Sequence, residues 1–246
     1  MHSLTFLGTG DFFAGAGHRY WNSFVIDGRI LVEPSPIVVP HLRKVGLDVA
    51  AIDVVLISHL HPDHTFGWPF LLLELMTSGR SEPVFVIGPP GVANSLEELM
   101  RVGGMHEVHE IAHQRCDIRY TEAAGDGSPQ EAGGLRLRAV EVEHMPQLRS
   151  FAYVLELEGL TLGYSGDTGP CVALDKVVER ADALVVECTG PQTGASRPVH
   201  LDSPDVVELQ RRFPDVRIVI THIGATADTD SLEGCTVPSD LETITI

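Results

Sequence analysis

The sequence predicts an α/β (α+β) protein in which two mixed β-sheets pack together with helices outside. Short runs of β-branched and aromatic residues recur along the chain, helical patterns fall between them, and hairpins are indicated in both halves. With 246 residues the chain can bury a sizeable core. No repeat or linker divides it, so we expect one domain over residues 1–246.

The predicted strands begin with five segments in the first third of the chain. These are 3–8, 23–28, 29–33, 52–58 and 83–88. Residues 135–144 alternate apolar and polar side chains, which is typical of a half-buried strand. Strands at 150–159 and 160–167 flank Glu158-Gly159, which predicts a tight hairpin. The last predicted strands are 183–187, 216–222 and 242–246.

Four helical patterns lie between these strands. They cover about 66–77, 90–102, 170–181 and 203–213. Ser203 is expected to cap the last helix, with Pro204 in its first turn. Residues 121–134, rich in glycine and polar side chains, are expected to form a surface loop.

Charge and composition restrict the class of function. The chain carries 34 acidic and 17 basic side chains, a net charge of −17. This balance opposes binding to long nucleic acid or to an anionic membrane, because phosphate contacts need Lys or Arg. A small anionic substrate stays compatible, since a bound cation can reverse the field locally.

The sequence also contains features that bear on the location of the protein. No signal-peptide pattern opens the sequence, and the apolar stretch at 65–76 is too short to span a bilayer. The four cysteines form no CxxC pair or tight framework, which favours reduced thiols. We therefore expect a soluble cytoplasmic protein.

A group of metal-binding residue types follows the strand at 52–58. It consists of His59, His61, Asp63 and His64. At a strand end, the two histidines of a His-x-His pair point the same way, as two ligands of one ion require. The Asp-His pair on the next turn can face a second ion. A solvated polar loop is the alternative interpretation.

Later strand ends carry three more residues of the same kind. His144 ends one predicted strand, Asp167 follows another in a glycine-rich turn, and His222 ends a third. Strand ends hold reactive groups on a rigid sheet. A lone histidine there is usually structural or solvated, but seven such groups together favour a metal site over a loop.

These residues resemble those of the metallo-β-lactamase superfamily, over the whole chain. The segment FLGTG at 6–10 is similar to the opening strand and turn of that superfamily, and HLHPDH at 59–64 is similar to its signature. The resemblance implies an αββα sandwich, two mixed β-sheets flanked by helices, with the site at one edge. It implies a first metal ion on His59, His61 and His144. It implies a second on Asp63, His64 and His222, with Asp167 bridging.

The implied cofactors are two divalent metal ions. Histidine-rich ligation with carboxylates suits Zn²⁺, with Mn²⁺ or Fe²⁺ as the alternative in one position. The ions would share a hydroxide that acts as the nucleophile, and Asp63 would orient it as well as ligating.

The reaction is narrowed by neighbouring residues. Asp167 stands where the main zinc β-lactamases have Cys, which argues against lactam hydrolysis. In the ribonuclease Z-like branch a Glu after a strand and a downstream His follow this motif, and Glu187 and His200 match them. There the His assists the leaving group and the Glu orients it. The alternative is that His200 only decorates a loop.

The substrate class is suggested by what the sequence lacks. Ribonuclease Z carries an arm that grips tRNA, and no Lys/Arg-rich arm is evident here. We therefore expect a phosphodiesterase that acts on a small or cyclic phosphodiester. The alternatives are a thioester or lactone hydrolase of the same fold, and a non-catalytic metal-binding scaffold.

Several features remain outside this set. Arg149 and His18 are candidate substrate contacts. Residues 105–113 place three histidines on one helical face, interpreted as solvated, with a surface metal site or a lid as alternatives. Residues 68–76 are apolar on nearly every face, so they are buried in the monomer or form an interface; the resemblance favours a homodimer. Glu33 departs from the Asp usual in the family and could lie near the site.

Overall fold

Two mixed β-sheets form the centre of the protein in a computed structural model that describes residues 1–14, 19–191 and 198–246. The strands are β1 (Ser3–Gly8), β2 (Ser23–Ile26), β3 (Ile30–Val32), β4 (Val54–Leu56), β5 (Val84–Gly88), β6 (Ile118–Glu122), β7 (Asp126–Ala132), β8 (Leu135–Val142), β9 (Ser150–Leu157), β10 (Leu160–Tyr164), β11 (Ala183–Cys188), β12 (Arg217–Ile223) and β13 (Thr243–Thr245). The helices are α1 (Val38–Lys44), α2 (Pro62–Thr65), α3 (Trp68–Thr77), α4 (Val92–Val102), α5 (His106–Cys116), α6 (Val172–Val178) and α7 (Ser203–Arg212).

The order of strands explains why helices lie outside the sheets. The first sheet runs β13-β1-β2-β3-β4-β5-β6, and the second runs β12-β11-β10-β9-β8-β7. Strands β3 to β6 are parallel, as are β10 to β12. Parallel neighbours need a crossover, which helices provide. Strands β7 to β10 are antiparallel and need only short turns.

Three apolar layers hold the sheets and helices together. The layer between the sheets contains fully buried aromatic side chains, among them Phe6, Phe24 and Tyr153. A second layer joins the first sheet to α1 and α3–α5, and a third joins the second sheet to α6 and α7. The result is the predicted αββα sandwich, and the predicted fold class is confirmed.

The chain differs from the sequence prediction at residues 121–134. Instead of a loop, the structure has the end of β6 and the whole of β7, which is the edge strand of its sheet. An edge strand faces solvent, so it is polar, and it tolerates Pro129 because one side needs no ladder hydrogen bond. The pair Gly133-Gly134, both with positive φ, forms the hairpin turn into β8.

Local details of the helices also differ. Asp202, not Ser203, caps α7, and it exchanges hydrogen bonds with Asp205 in a capping box. Pro204 lies in the first turn as predicted. Helix α1 was not predicted, because its short pattern follows two prolines. The hairpin at Glu158-Gly159 is confirmed by the pairing of β9 with β10.

Two helical features noted in the sequence have defined environments. The apolar side chains of α3 that include Trp68, Leu71 and Leu72 are buried within the monomer, whereas Phe70 is exposed. On α5, His109 is buried, so the interpretation of a wholly solvated face is wrong. Among the described residues, no helix combines the length and apolar content that crossing a bilayer requires.

Candidate metal centre

Seven side chains meet at one edge of the sandwich. They come from the loop and short helix after β4, from the second residue after the end of β8, from the turn after β10 and from the end of β12. They are His59, His61, Asp63, His64, His144, Asp167 and His222, all predicted from the sequence. All except His61 are buried.

The first group consists of His59, His61, His144 and Asp167, with one atom of each within 4.8 Å of the others. The Nε2 atom of His59 lies 2.9 Å from His61 Nδ1, and His144 Nε2 lies 3.4 Å from that same atom. Asp167 Oδ2 is 3.7 Å from His59 Nε2. Three imidazoles therefore turn nitrogen atoms toward one point beside a carboxylate.

The second group consists of Asp63, His64, Asp167 and His222. His64 Nε2 lies 3.1 Å from Asp63 Oδ2 and 3.4 Å from Asp167 Oδ2. His222 Nε2 lies 3.5 Å and 3.3 Å from the same two oxygens. Asp167 belongs to both groups, so its carboxylate lies between them.

Unpartnered polar atoms show that these groups fit divalent cations. Among the described residues, Asp63 Oδ1, Asp167 Oδ1, His64 Nε2 and His222 Nε2 are buried without a hydrogen-bond partner. Each such atom costs about 1–3 kcal/mol unless something satisfies it. Bound cations and the water that they carry would do so, and histidine nitrogens with carboxylate oxygens are ligands that Zn²⁺ and similar ions accept.

The outward nitrogens of three of these histidines are held from behind by hydrogen bonds, and that of His64 faces a carboxylate without forming a hydrogen bond. Each lies near an oxygen atom that orients the ring, as the partners of metal-ligating histidines commonly do. The contacts are His59 Nδ1 to Ser58 Oγ at 3.0 Å, His64 Nδ1 to Glu33 Oε2 at 3.5 Å, His144 Nδ1 to the carbonyl oxygen of Val199 at 2.9 Å, and His222 Nδ1 to Thr189 Oγ1 at 2.9 Å.

His222 reaches the site through an irregularity in its strand. The register between β11 and β12 shifts so that His222 is an extra residue between Thr221 and Ile223. Its φ of 48° is rare for a residue with a side chain. Such bulges redirect side chains beside active sites, which accounts for the position of this imidazole.

Glu33 is the main residue of the site whose role the sequence left open. Its carboxylate is fully buried and accepts hydrogen bonds from the Ser58 N–H and the Tyr164 hydroxyl, both at 3.0 Å. Its other oxygen faces His64. In the sequence, the signal was an acidic residue at the end of an apolar strand. In the structure, Glu33 has a φ of 58°, which marks a sharp turn at that strand end.

Electrostatics separate the histidines into two kinds. For His64 and His222, burial lowers the pKa, but the neighbouring carboxylates outweigh it and raise the pKa above its ordinary value. Burial lowers the pKa of His59, His61 and His144, so these rings are neutral at neutral pH, the form that binds metals. For Asp63 and Asp167, burial favours the neutral acid, but the neighbouring histidines outweigh it. The pKa of each carboxyl therefore lies below its ordinary value.

His200 and Glu187 form a second arrangement beside the two groups. His200 Nδ1 lies 2.8 Å from Glu187 Oε1, and the His200 ring stacks on that of His222. Glu187 is held in turn by the Thr168 N–H and the Thr189 hydroxyl. Burial lowers the pKa of His200, but the charge of Glu187 outweighs it and raises the pKa to about 9.

The candidate substrate contact Arg149 is not part of these groups. Arg149 forms an ion pair with Glu141 at 2.6 Å and stacks over Phe151, so its guanidinium is held on the surface of β8 and β9. His18 lies outside the described residues. The sequence offered no sign of Thr189, whose hydroxyl contacts both Glu187 and His222, because it stands in no recognisable motif.

Comparison with known proteins agrees with this geometry. Residues 28–223 match the family model of the beta-lactamase superfamily domain. Ribonuclease Z of Mycobacterium marinum is 29% identical over 199 residues, which cover 75% of this chain and 70% of that protein. Ribonuclease Z of Methanothermobacter thermautotrophicus is 25% identical over 91% of this chain and 87% of that protein.

Solved structures show the same fold. The metallo-beta-lactamase fold protein YhfI from Bacillus subtilis has a TM-score of 0.77 at 17% identity, covering 99% of this chain and 98% of its own. The short form of human tRNase Z has a TM-score of 0.77 at 22% identity and covers 99% of both chains. A diphosphatase of the PhnP family has a TM-score of 0.75 at 16% identity, covering 100% of this chain and 98% of its own.

Proposed function

The chain belongs to the beta-lactamase superfamily and is a metal-dependent hydrolase. From that premise we propose that it is a phosphodiesterase. The observation that carries the proposal is the imidazole of His200, held by Glu187 next to the two groups of metal-binding side chains. Relatives named ribonuclease Z and a neighbour named diphosphatase support chemistry at phosphorus.

We propose that the cofactors are two divalent ions, with Zn²⁺ the ion best matched by this donor set. His59, His61 and His144 would hold one of them. Asp63, His64 and His222 would hold the other, and Asp167 would bridge. Ions bound in this way acidify water toward neutral pH and polarise phosphoryl oxygens.

Asp63 would have a second task. Its Oδ2 atom faces His64 and His222, whereas its Oδ1 atom has no hydrogen-bond partner among the described residues. The Oδ1 atom can accept a hydrogen bond from the attacking water and take its proton. This fits general-base assistance, in which a fixed carboxylate orients the nucleophile.

His200 would act on the departing oxygen. Glu187 occupies its Nδ1 atom, which leaves Nε2 as the nitrogen for the substrate. Although burial lowers the pKa of His200, the charge of Glu187 outweighs it and raises the pKa to about 9, which favours the protonated imidazole at neutral pH. It can therefore stabilise charge on the leaving oxygen and donate a proton to it.

We further propose that the substrate is a small anionic phosphodiester. The net charge of −17 disfavours long nucleic acid. Ribonuclease Z-like proteins can carry an inserted arm between the signature motif and the next histidine ligand. In this chain the corresponding residues 65–143, all described, form α2–α5, β5–β8 and the short connections between them, and none of them forms such an arm. A homodimer remains a prediction from the resemblance.

The first test is turnover of bis(p-nitrophenyl) phosphate by protein loaded with Zn²⁺ or Mn²⁺. We expect release of p-nitrophenol that stops when the metals are removed by a chelator. Metal analysis should give two ions per chain. A protein that holds two ions and cleaves S-lactoylglutathione or an acyl-homoserine lactone, but no phosphodiester, would contradict the proposal.

The second test is His200→Ala with leaving groups of different quality. Loss of general-acid assistance typically costs about 10²–10⁴-fold in rate. We expect a loss of that order for methyl phenyl phosphate, which releases the poorer leaving group phenolate, and a smaller one for p-nitrophenolate release from bis(p-nitrophenyl) phosphate. His106→Ala, an exposed histidine on α5, is the matched control and should change neither rate.

Glu187→Gln should separate orientation from charge. Glu187 raises the pKa of His200 above its ordinary 6.5, so removing the carboxylate lowers that pKa. The protonated imidazole is then lost at lower pH, and the alkaline limb of the pH–rate profile should move to lower pH. An unmoved alkaline limb would exclude His200 as the protonated group.

A further inference from the structure

A cavity of about 430 Å³ opens beside the site, with His200 and His222 in one wall. We infer that it binds an uncharged aromatic ring that carries an N–H donor. On this inference the leaving side of the substrate is a nucleoside-like group. The inference rests on the proposed function, because it places that group next to the imidazole that serves the departing oxygen.

The size and position of the cavity suit such a ligand. Its other described lining residues are Asp11, Phe12, Phe13, Thr189, Gly190, Pro191, Val199, Ala225 and Thr226. Pockets for small molecules commonly measure about 300–1,000 Å³ and are mostly apolar with a few placed polar groups. A ring seated there would lie within the same cavity as His200, so an oxygen of the sugar joined to it could face that imidazole.

Two phenyl rings form the apolar wall. Phe12 and Phe13 are 48% and 74% exposed, which is unusual for side chains of this size. Their ring centres lie 5.4 Å apart in an edge arrangement, and the Phe12 carbonyl accepts a hydrogen bond from the indole of Trp21. A planar ligand would cover these rings, and stacking of a base on an aromatic side chain contributes about 1–3 kcal/mol.

Asp11 supplies the polar contact. It is 8% exposed, and its Oδ1 atom accepts a hydrogen bond from the Phe13 N–H at 3.0 Å, which fixes the carboxylate next to the phenyl wall. A carboxylate accepts hydrogen bonds and donates none, so it favours a ring with N–H groups. It also repels a second anionic group, which makes an uncharged ring the fitting occupant.

Two glycines let the backbone segments that line the cavity come close together. Gly190 has a φ of +100°, and a Cβ atom there would lie 2.9 Å from the Ala227 nitrogen. At Gly224, a Cβ atom would lie 1.9 Å from the Thr189 carbonyl oxygen and 3.2 Å from Asp11 Oδ2. Glycine at both positions therefore lets the segments after β11 and β12 approach each other and the carboxylate.

The test is equilibrium binding of two nucleosides to metal-loaded protein by calorimetry. Adenosine has an exocyclic amine, and purine riboside has the same ring system without it. We expect wild-type protein to bind adenosine roughly fivefold or more tightly, as one added hydrogen bond would give. Asp11→Leu should remove this preference, whereas Asp11→Asn, which keeps an acceptor oxygen, should retain most of it.

Phe13→Ala tests the stacking wall. It should weaken binding of both nucleosides by roughly tenfold or more. Phe70→Ala is the matched control, since Phe70 is 60% exposed on α3 and does not line the cavity. It should leave both affinities unchanged.

Equal binding of the two nucleosides by the wild type, or unchanged adenosine affinity in Phe13→Ala, would overturn the inference. A nucleoside contains no phosphorus, so its binding does not depend on turnover. Adenosine binding without phosphodiesterase activity would therefore refute only the proposed function. Phosphodiesterase activity without the expected nucleoside preference would refute only this inference.

Discussion

Glu33 connects the second metal group to both sheets. Its carboxylate receives the Ser58 N–H from the end of β4 and the hydroxyl of Tyr164 from β10. Tyr164 in turn accepts a hydrogen bond from Asn22, which accepts one from Thr221 next to His222. One buried chain of hydrogen bonds thus runs from behind His64 to the strand that carries His222.

Substituting Glu33→Gln should weaken this group without changing the fold. The amide keeps the shape but removes the negative charge that faces His64, a partner of the kind whose loss costs about 10–100-fold in metal affinity. In a competition titration against a chelator, we expect Glu33→Gln to lose the ion of the second group at a lower chelator concentration than the wild type does. The control is Glu74→Gln, a surface partner of Arg43. Equal retention of both ions by wild type and Glu33→Gln would show that the charge does not matter.

At the scale of the element, the hairpin between β7 and β8, at the edge of the second sheet, packs against side chains of the first sheet. Gly133 has a φ of 60°, and a Cβ atom there would lie 2.9 Å from atoms of Phe85 and Val54. Gly134 has a φ of 73° and no atom within 4 Å of the same position. The two glycines share a turn and a backbone conformation but differ in their surroundings.

This pair gives a matched prediction for stability. Gly134→Ala should cost only the left-handed backbone strain, about 1–2 kcal/mol in the free energy of unfolding. Gly133→Ala should cost that plus about 1–3 kcal/mol for overlap with the side chains of β4 and β5. Denaturant unfolding of both variants measures the difference. Equal losses would mean that the tip of the hairpin does not press on the first sheet.

At the scale of the whole molecule, His2 joins the two sheets at the edge of the sandwich. Its Nδ1 atom lies 2.7 Å from Asp27 Oδ2, in the turn between β2 and β3. Its Nε2 atom lies 2.9 Å from the carbonyl oxygen of Glu158, in the turn between β9 and β10. Both ring nitrogens face acceptors, so the protonated form is favoured.

Stability should therefore depend on the charge of this pair. The hydrogen bond to Asp27 raises the pKa of His2 above 6.5, so the stabilisation is complete below pH 6.5 and is lost as pH rises through the raised value. For Asp27, burial favours the neutral acid but the hydrogen bond to His2 outweighs it. Its pKa lies below 3.8, so the stabilisation is present above pH 3.8 and is lost as pH falls.

The difference in unfolding free energy between wild type and His2→Asn should thus be largest between pH 3.8 and pH 6.5. Since Asp27 is partly exposed, we expect it to stay below about 1 kcal/mol. Asp27→Asn should remove the same pH-dependent contribution to the free energy of unfolding. The double variant His2→Asn/Asp27→Asn should lose no more of that contribution than either single variant. A difference that is constant from pH 4 to pH 9 would contradict the pairing.

The sequence by itself determined the sandwich and the seven residues of the two metal groups. Apolar periodicity is a local signal that identifies strands and helices. Once a strand is identified, the residue at its end is known to lie at the edge of the sheet. His59 and His61 point the same way because they are two residues apart on extended chain. His144, Asp167 and His222 could be predicted because each lies at the end of a predicted strand or in the turn that follows one. The family resemblance added Glu187 and His200.

Only the tertiary structure decided which side chains support those groups. Glu33 and Tyr164 are 131 residues apart, and His144 and Val199 are 55 apart, so no local pattern records that they meet. Asp11 reaches the cavity because segments after two parallel strands approach through glycine. The polar strand β7 was hidden for a related reason. An edge strand that faces solvent shows little alternation of apolar and polar side chains, so its sequence does not indicate a strand. Hydrogen bonding to β8 is what gives β7 its strand conformation.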